Sequence, residues 1–428
     1  MKIKNNMKIR MNGNKGITLI ALVITIIVLL ILAGVTIAAL SGDNGILTRA
    51  KDAKEKTAQV QQDEEKTLSN MENILENYKF ENVNIADTNP AGAMPSDVTI
   101  LENDANKGIV IKDVNNNEWV WVEIPKMTVF ADLTIDTTKE LTEKNYNDIK
   151  NKLITYAATY REGKSGQGRY WSDEWYDGCG MTSDEYTEAY KKMLKSVYIY
   201  GGFWIGRYEA GIEGTTTETK NARTSSSTRI SIETSPKAIS QKDAIPYNYV
   251  YCSEAQALAK EMTPNSNYTS SLMFGIQWDL VCNFLEVKGK LSTADINSNS
   301  TSWGNYNNAK IENITSGKYA ILDTNTFNLG TWTKITNAFT KSDSGDNSSV
   351  LLSTGISDYT KKMNIYDFAG NEYEWTLEHA TSDSDVPCAT RVGGYDDTGS
   401  NYPASYRDYY GTVDSHDYIG FRPTLYVN

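Results

Sequence analysis

The most regular apolar pattern in the chain is its first. From Ile17 to Leu40, 24 residues read ITLIALVITIIVLLILAGVTIAAL, interrupted only by threonine and glycine and free of charge. A helix of about 20 apolar residues crosses a bilayer core, so the run predicts a transmembrane helix. The sixteen residues ahead of it carry Lys2, Lys4, Lys8, Arg10 and Lys15 and no acid, which predicts a cytoplasmic N-terminus with everything beyond Leu40 facing outward. The run is too long for the apolar region of a secretory signal peptide, and no small-x-small cleavage site follows it.

After the turn-forming cluster Gly42-Asp43-Asn44-Gly45, apolar residues recur at 46, 50, 53, 60, 68, 71, 75 and 78. These intervals fit a helix. Lys54, Glu55, Asp63, Glu65, Lys66 and Glu72 give it a solvated face, and at 1.5 Å per residue it would be about 50 Å long. Residues 83–97, with Pro90, Gly92 and Pro95 and no periodicity, read as a linker. Beyond them the pattern changes to short apolar and aromatic runs broken by turn residues. Gly108 to Val114 and Glu118 to Ile124 flank Asn115-Asn116-Asn117 as a hairpin. Residues 136–196 read as polar and partly helical, 198–206 as a strand, 213–243 as a surface excursion, and 253–262 and 277–287 as helices.

Composition changes this picture little: of 428 residues, 40% are hydrophobic, 11% aromatic and 22% charged, which is globular. Charge adds more. The net charge is −12, and without the five basic leader residues 37 Lys and Arg face 54 acids, a balance of −17. Such a surface gains nothing from phosphate neutralisation, which argues against a nucleic-acid partner and against docking on the cytoplasmic leaflet. Cys179, Cys252, Cys282 and Cys388 lie too far apart for CxxC motifs. With His379 and His416 the only histidines, a histidine metal site or a Ser-His-Asp centre is disfavoured. The cysteines read as packed thiols, with two disulfides as the alternative.

Lys15-Gly16-Ile17-Thr18-Leu19 running into the apolar stretch resembles the type IV prepilin leader. The resemblance implies cleavage after Gly16 by a prepilin peptidase, methylation of the new N-terminal Ile17, and possible association with other pilin-like subunits. Pilins usually carry glutamate at the fifth residue after the cut. Here it is Ala21, which weakens the case for a repeating fibre subunit.

A second resemblance rests on seven blocks in order: Gly201 to Glu209, Tyr247 to Ala259, Phe274 to Leu285, Trp303-Gly304-Asn305, Asn364 to Trp375, Arg391 to Tyr395 and Gly420-Phe421-Arg422. Together they resemble the formylglycine-generating, sulfatase-modifying-factor family, across roughly residues 110–428. The resemblance implies a variant of the C-type lectin fold. The expected architecture is therefore α+β: a leader at 1–16, a long transmembrane and amphipathic helix over 17–80, a linker over 81–98, and a lectin-like domain with much irregular structure over 99–428.

Asp367 and Glu374 stand seven residues apart around the turn-permitting Gly370-Asn371. Hard cations take carboxylate and carbonyl oxygens from such loops. In the resembling family the matching positions bind calcium, which here implies the side chains of Asp367 and Glu374 and the carbonyls of Gly370 and Glu372. The alternative is that Tyr366, Phe368, Tyr373 and Trp375 are core aromatics and the carboxylates pair with Arg391, Arg407 or Arg422. The family's enzymes bind copper through two cysteines soon after the Gly-Gly of the C-terminal block. No cysteine follows Gly393-Gly394 in this chain, so neither copper nor that oxidase chemistry is expected.

In place of those cysteines the chain carries Tyr395, Asp396, Asp397, Tyr402, Tyr406, Asp408, Tyr409, Tyr410, His416, Asp417 and Tyr418. Tyrosine offers large contact area with few rotors, and Ser, Gly and Asn supply adaptable hydrogen bonding. These residues are the candidate ligand-binding surface, for a carbohydrate or a protein; the alternative is tyrosines packed on the domain. The reading that follows is an adhesin-like, non-catalytic binding protein, membrane-anchored through residues 17–40, on a prokaryotic cell surface or pilus. The alternatives are a minor pilin that caps or primes a fibre, and an oxidoreductase of the same fold.

Overall fold

The computed structural model describes residues 22–32, 49–62, 80–161, 170–219, 221–225, 227–381 and 384–428. The chain divides into two compact units, Met1–Ile74 and Leu75–Asn428.

In the first unit, residues 22–32 and 49–62 are helical. The expected long transmembrane helix is corrected here: among the described residues no helix is long and apolar enough to cross a membrane. Gly16, Ile17 and Ala21, which carry the processing expectation, lie outside the described residues.

Two sheets, the largest among the described residues, frame the second unit. The first contains β1 (Thr99–Glu102), β2 (Val110–Lys112), β3 (Glu118–Glu123), β4 (Gly202–Gly206), β5 (Tyr268–Leu272) and the C-terminal strand β10 (Pro423–Val427). Its spatial order is β1-β2-β3-β4-β10-β5. The β2–β3 hairpin forms where the asparagine run predicts it, with Asn116 in the left-handed region at φ 63°. Asp113 fixes the turn: its Oδ1 accepts the Asn115 and Asn117 amides at 2.8 and 2.9 Å, and its Oδ2 accepts the Trp119 indole at 2.8 Å.

Two helices stand out before the sheet is complete, α1 (Glu143–Tyr156) and α2 (Ser183–Tyr200). Thr182 and Glu185 close a capping box at the start of α2, satisfying two amides that a helix start leaves open. The strand expected over 198–206 is divided. Helix α2 runs to Tyr200, and Gly201 reverses the chain at φ 68°, where a Cβ would fall 2.4 Å from the Asp87 carbonyl oxygen. Only then does β4 begin.

Residues 83–97, expected as a linker, are built into the domain. The Trp204 indole donates to the Ala93 carbonyl at 2.7 Å, the Trp121 indole donates to Thr88 Oγ1 at 2.8 Å, and the Asn89 amide donates to the Tyr200 carbonyl at 2.6 Å. A buried indole N–H requires an acceptor, and this segment supplies two.

Helices α3 (Cys252–Lys260) and α4 (Gly275–Val287) follow. Every residue of α4 from Gly275 to Leu285 is buried, as expected of a helix enclosed on all sides. The second sheet contains β6 (Tyr373–Ala380), β7 (Cys388–Arg391), β8 (Arg407–Tyr410) and β9 (Ile419–Phe421), in the order β8-β7-β6-β9. The short strand Trp171–Ser172 pairs with the end of β6. A single residue, Arg422, separates β9 of the second sheet from β10 of the first.

Candidate functional site

Strand β6 reads Tyr-Glu-Trp-Thr-Leu-Glu-His-Ala. Successive side chains of a strand point to opposite faces, so Tyr373, Trp375 and His379 share one face and Glu374, Thr376 and Glu378 the other. The two faces have different chemistry.

On the acidic face, Glu378 lies in a buried box of charges. Arg391 Nε donates to Glu378 Oε2 at 2.8 Å and its Nη2 to Asp279 Oδ1 at 2.5 Å. Arg407 donates to both Asp279 oxygens at 2.7 and 2.8 Å and to Glu378 Oε1 at 3.1 Å. Arg161 closes the box on Asp173, Asp279 and Glu378 at 2.8, 3.2 and 3.3 Å. Burial by itself raises the Glu378 carboxyl, but Arg391, Arg407 and Arg161 outweigh it and hold it down to about 2. Three guanidinium groups balance three carboxylates, which is the condition for tolerating charge in an interior. The box fastens α4 to the second sheet.

Toward the other end of β6, Glu374 is held by Arg422, with Nη2–Oε1 at 2.7 Å and Nε–Oε2 at 3.2 Å. Asp367, in the left-handed region at φ 56°, accepts the Thr360 hydroxyl and the Gly355 amide, both at 2.7 Å. Gly370, at φ 74°, backs onto Asn305, where a Cβ would lie 2.4 Å from the carbonyl oxygen. Asn371 donates to Glu209 Oε2 at 2.6 Å, and the Glu372 amide donates to Glu209 Oε1 at 3.2 Å.

The carboxylate of Glu372 is fully buried, and neither of its oxygens has a hydrogen-bond partner. Burial, then Glu374, Asp417 and Asp367, push it well above the usual carboxylate range. Asp367 and Glu374, the two carboxylates expected to bind calcium, accept hydrogen bonds from within the domain. The carboxylate oxygens of Asp367 and Glu374 are committed to Thr360, Gly355 and the Arg422 cation. Among the described residues no group of three or more His, Cys, Asp or Glu is placed to hold a metal ion.

The aromatic face of β6 supports the C-terminal segment. Tyr373 lies 6.1 Å from Tyr402, 6.3 Å from Tyr410 and 5.7 Å from Tyr418 between ring centroids. Tyr402 meets Tyr406 edge-on at 4.8 Å, Trp375 backs Tyr410 at 5.7 Å, and His416 stacks on Tyr418 at 4.7 Å with planes 4° apart. Tyr402, Tyr406, Tyr410, His416 and Tyr418 are each half-buried. Asp396, Asp397 and Asp408 border these rings, and all three are half-buried.

Burial and then the Asp397 charge push Asp396 up to about 7, and burial above all pushes Asp408 up to about 6. Asp397 is raised by burial, against the Gly394 amide and the Tyr373 hydroxyl. Among the described residues none of these three carboxylates forms an ion pair with Lys or Arg. The face therefore presents aromatic area beside hydrogen-bond acceptors without a neutralising cation.

Two of the expected surface residues lie elsewhere. Tyr395 is fully buried, and its hydroxyl donates to Asp417 Oδ2, also buried, at 3.0 Å. Tyr409 is half-buried and alternates with Tyr410 along β8. Tyr373, a core aromatic in the alternative reading of the sequence, is buried and is the ring at the centre of the cluster. Its position on the same strand face as Trp375 was available from the alternation of β6. No protein-family model matches the chain, and no curated protein matches it.

Proposed function

We propose that the second unit is a non-catalytic binding module whose ligand docks on the face formed by Tyr402, Tyr406, Tyr410, His416 and Tyr418 over Tyr373. The observation that carries this reading is the continuous chain of half-buried rings bordered by three carboxylates that have no cationic partner. Rings give broad apolar contact with few rotors to immobilise, and ionised carboxylates accept hydrogen bonds from donor-rich ligands. That combination suits a polyhydroxylated carbohydrate. The resemblance to formylglycine-generating enzymes, together with the missing cysteine pair after Gly393-Gly394, supports binding on this face in place of oxidation.

The test is calorimetric titration of soluble polysaccharides, with basic peptides as the comparison, against the wild type and the Tyr402→Ala and Asp408→Asn variants. The reading expects a glycan bound by the wild type and at least tenfold more weakly by both variants, each still folded at the titration temperature. A ligand bound equally well by all three proteins places recognition elsewhere. Peptide binding that is lost in the same variants keeps the face and changes the ligand class.

A further inference from the structure

Near the other end of β6, away from Tyr373, three of the four cysteines converge on one tyrosine. The Tyr176 hydroxyl lies 3.4 Å from Cys252 Sγ, and its ring stacks on His379 with centroids 5.0 Å apart. His379 of β6 pairs across the sheet with Cys388 of β7. Cys252 is the first residue of α3, and its thiol points at the Thr376 carbonyl oxygen at 3.8 Å. Thr376 in turn donates to the carbonyl of Ala389, the neighbour of Cys388, at 3.2 Å. The Cys252 and Cys388 side chains are neighbours in this cluster, both near the Tyr176 hydroxyl.

Cys179 comes close through Gly180, where a Cβ would lie 2.9 Å from Ser253 Cα. Its thiol, however, donates to Met181 in its own turn at 3.7 Å. Cys282 lies on α4. All four cysteines are reduced and buried in this structure.

We infer that Cys252 and Cys388 are a disulfide-forming pair, a modification site that staples the start of α3 to β7. The oxidant is a low-molecular-weight disulfide. One protein thiolate attacks it, forming a mixed disulfide and releasing one small thiol. The second protein thiolate then displaces the other small thiol and closes the protein S–S bond. The two protein thiol protons pass through solvent to the two released thiols, so one small disulfide is reduced as one protein dithiol is oxidised. Contact with Cys388 and burial both raise the Cys252 thiol in the folded domain, which disfavours the thiolate that exchange requires. The exchange therefore takes place while the chain folds. The Cys388 partner across β7–β8 is Tyr410, so the staple anchors the strand pair that carries the tyrosine face.

The test is refolding of the full chain from denaturant in a mixture of reduced and oxidised glutathione, followed by thiol counting in denaturant and mass spectrometry of the unreduced digest. The wild type is expected to lose two of its four thiols and to yield one cross-linked peptide joining Cys252 to Cys388. Cys179→Ser and Cys282→Ser are each expected to lose two of three thiols, whereas Cys252→Ser and Cys388→Ser lose none. The oxidised wild type is also expected to unfold at higher urea than the reduced protein. Four retained thiols in the wild type, or a cross-link through Cys179 or Cys282, overturns the inference. The wild-type peptide map decides the matter even where a serine variant fails to fold.

Discussion

Arg422 grips Glu374 from the one residue that separates β9 from β10, with both side chains fully buried. The same guanidinium donates to the Gly206 carbonyl at the end of β4 at 3.0 Å and to the Tyr366 carbonyl at 2.9 Å. One side chain thus ties the first sheet, the second sheet and the loop before β6 together. Removing one partner of a buried pair costs about 3–5 kcal/mol, because the other charge is left uncompensated. Arg422→Met is expected to lower the unfolding free energy measured in urea by that order, and Arg422→Met with Glu374→Met to recover much of the loss. A single variant as stable as the wild type refutes the coupling.

Glu372 is the opposite case, a buried carboxylate with no partner. Its folded value is raised above 4.5, so folding disfavours its charged form and its contribution to stability falls as pH rises through that folded value. Glu372→Gln is expected to stabilise the domain by about 1 kcal/mol at pH 8 and by less at pH 5, where the native carboxyl is more fully protonated. Gly420→Ala would place a Cβ 2.0 Å from Glu372 Oε2. It is expected to cost about 1–3 kcal/mol through overpacking, with part of the loss recovered in the Gly420→Ala, Glu372→Ala double variant. Additive losses in that cycle would show that the two sites do not touch.

The carboxylates of the tyrosine face set a pH dependence. Asp396 titrates near 7 and Asp408 near 6 in the folded domain, both above their ordinary value of 3.8. As pH falls from 8 to 5 the folded state takes up protons that the unfolded chain does not, so stability rises. Glu378 acts in the other direction, because its depressed value contributes stability above 4.5 that is lost as pH falls through about 2. Thermal melts across pH are expected to peak near pH 5, with Asp396→Asn flattening the rise between pH 8 and 6. A wild-type melt that climbs steadily from pH 5 to 8 contradicts this assignment.

Calcium is expected to leave the melting temperature unchanged within about 1 °C when compared with a chelator. Asp367 and Glu374 already spend their oxygens on Thr360, Gly355 and Arg422, and a ligand stabilises only in proportion to its preference for the native state. A calcium-dependent rise of several degrees would mean that these hydrogen bonds exchange for metal ligands.

Elements with local signals were legible from the sequence. The asparagine run between two apolar segments marked the β2–β3 hairpin, and the apolar stretch over 277–287 marked most of α4. Tyr395 and Asp417 were read as surface because their segment looks like a binding loop. That segment holds so few aliphatic residues that tyrosine must also fill its core. The charge box was out of reach for a different reason: Arg161 and Glu378 meet across 217 positions, and nothing local in either segment marks the other.

Strand β10 follows β4 and β5 in the chain by about 150 residues or more yet lies between them and bonds to both. A nascent chain therefore holds two strands whose shared neighbour has not yet emerged, and the sheet closes only once residues 423–427 have left the ribosome. Removing residues 423–427 would delete an interior strand and leave the facing edges of β4 and β5 unpaired.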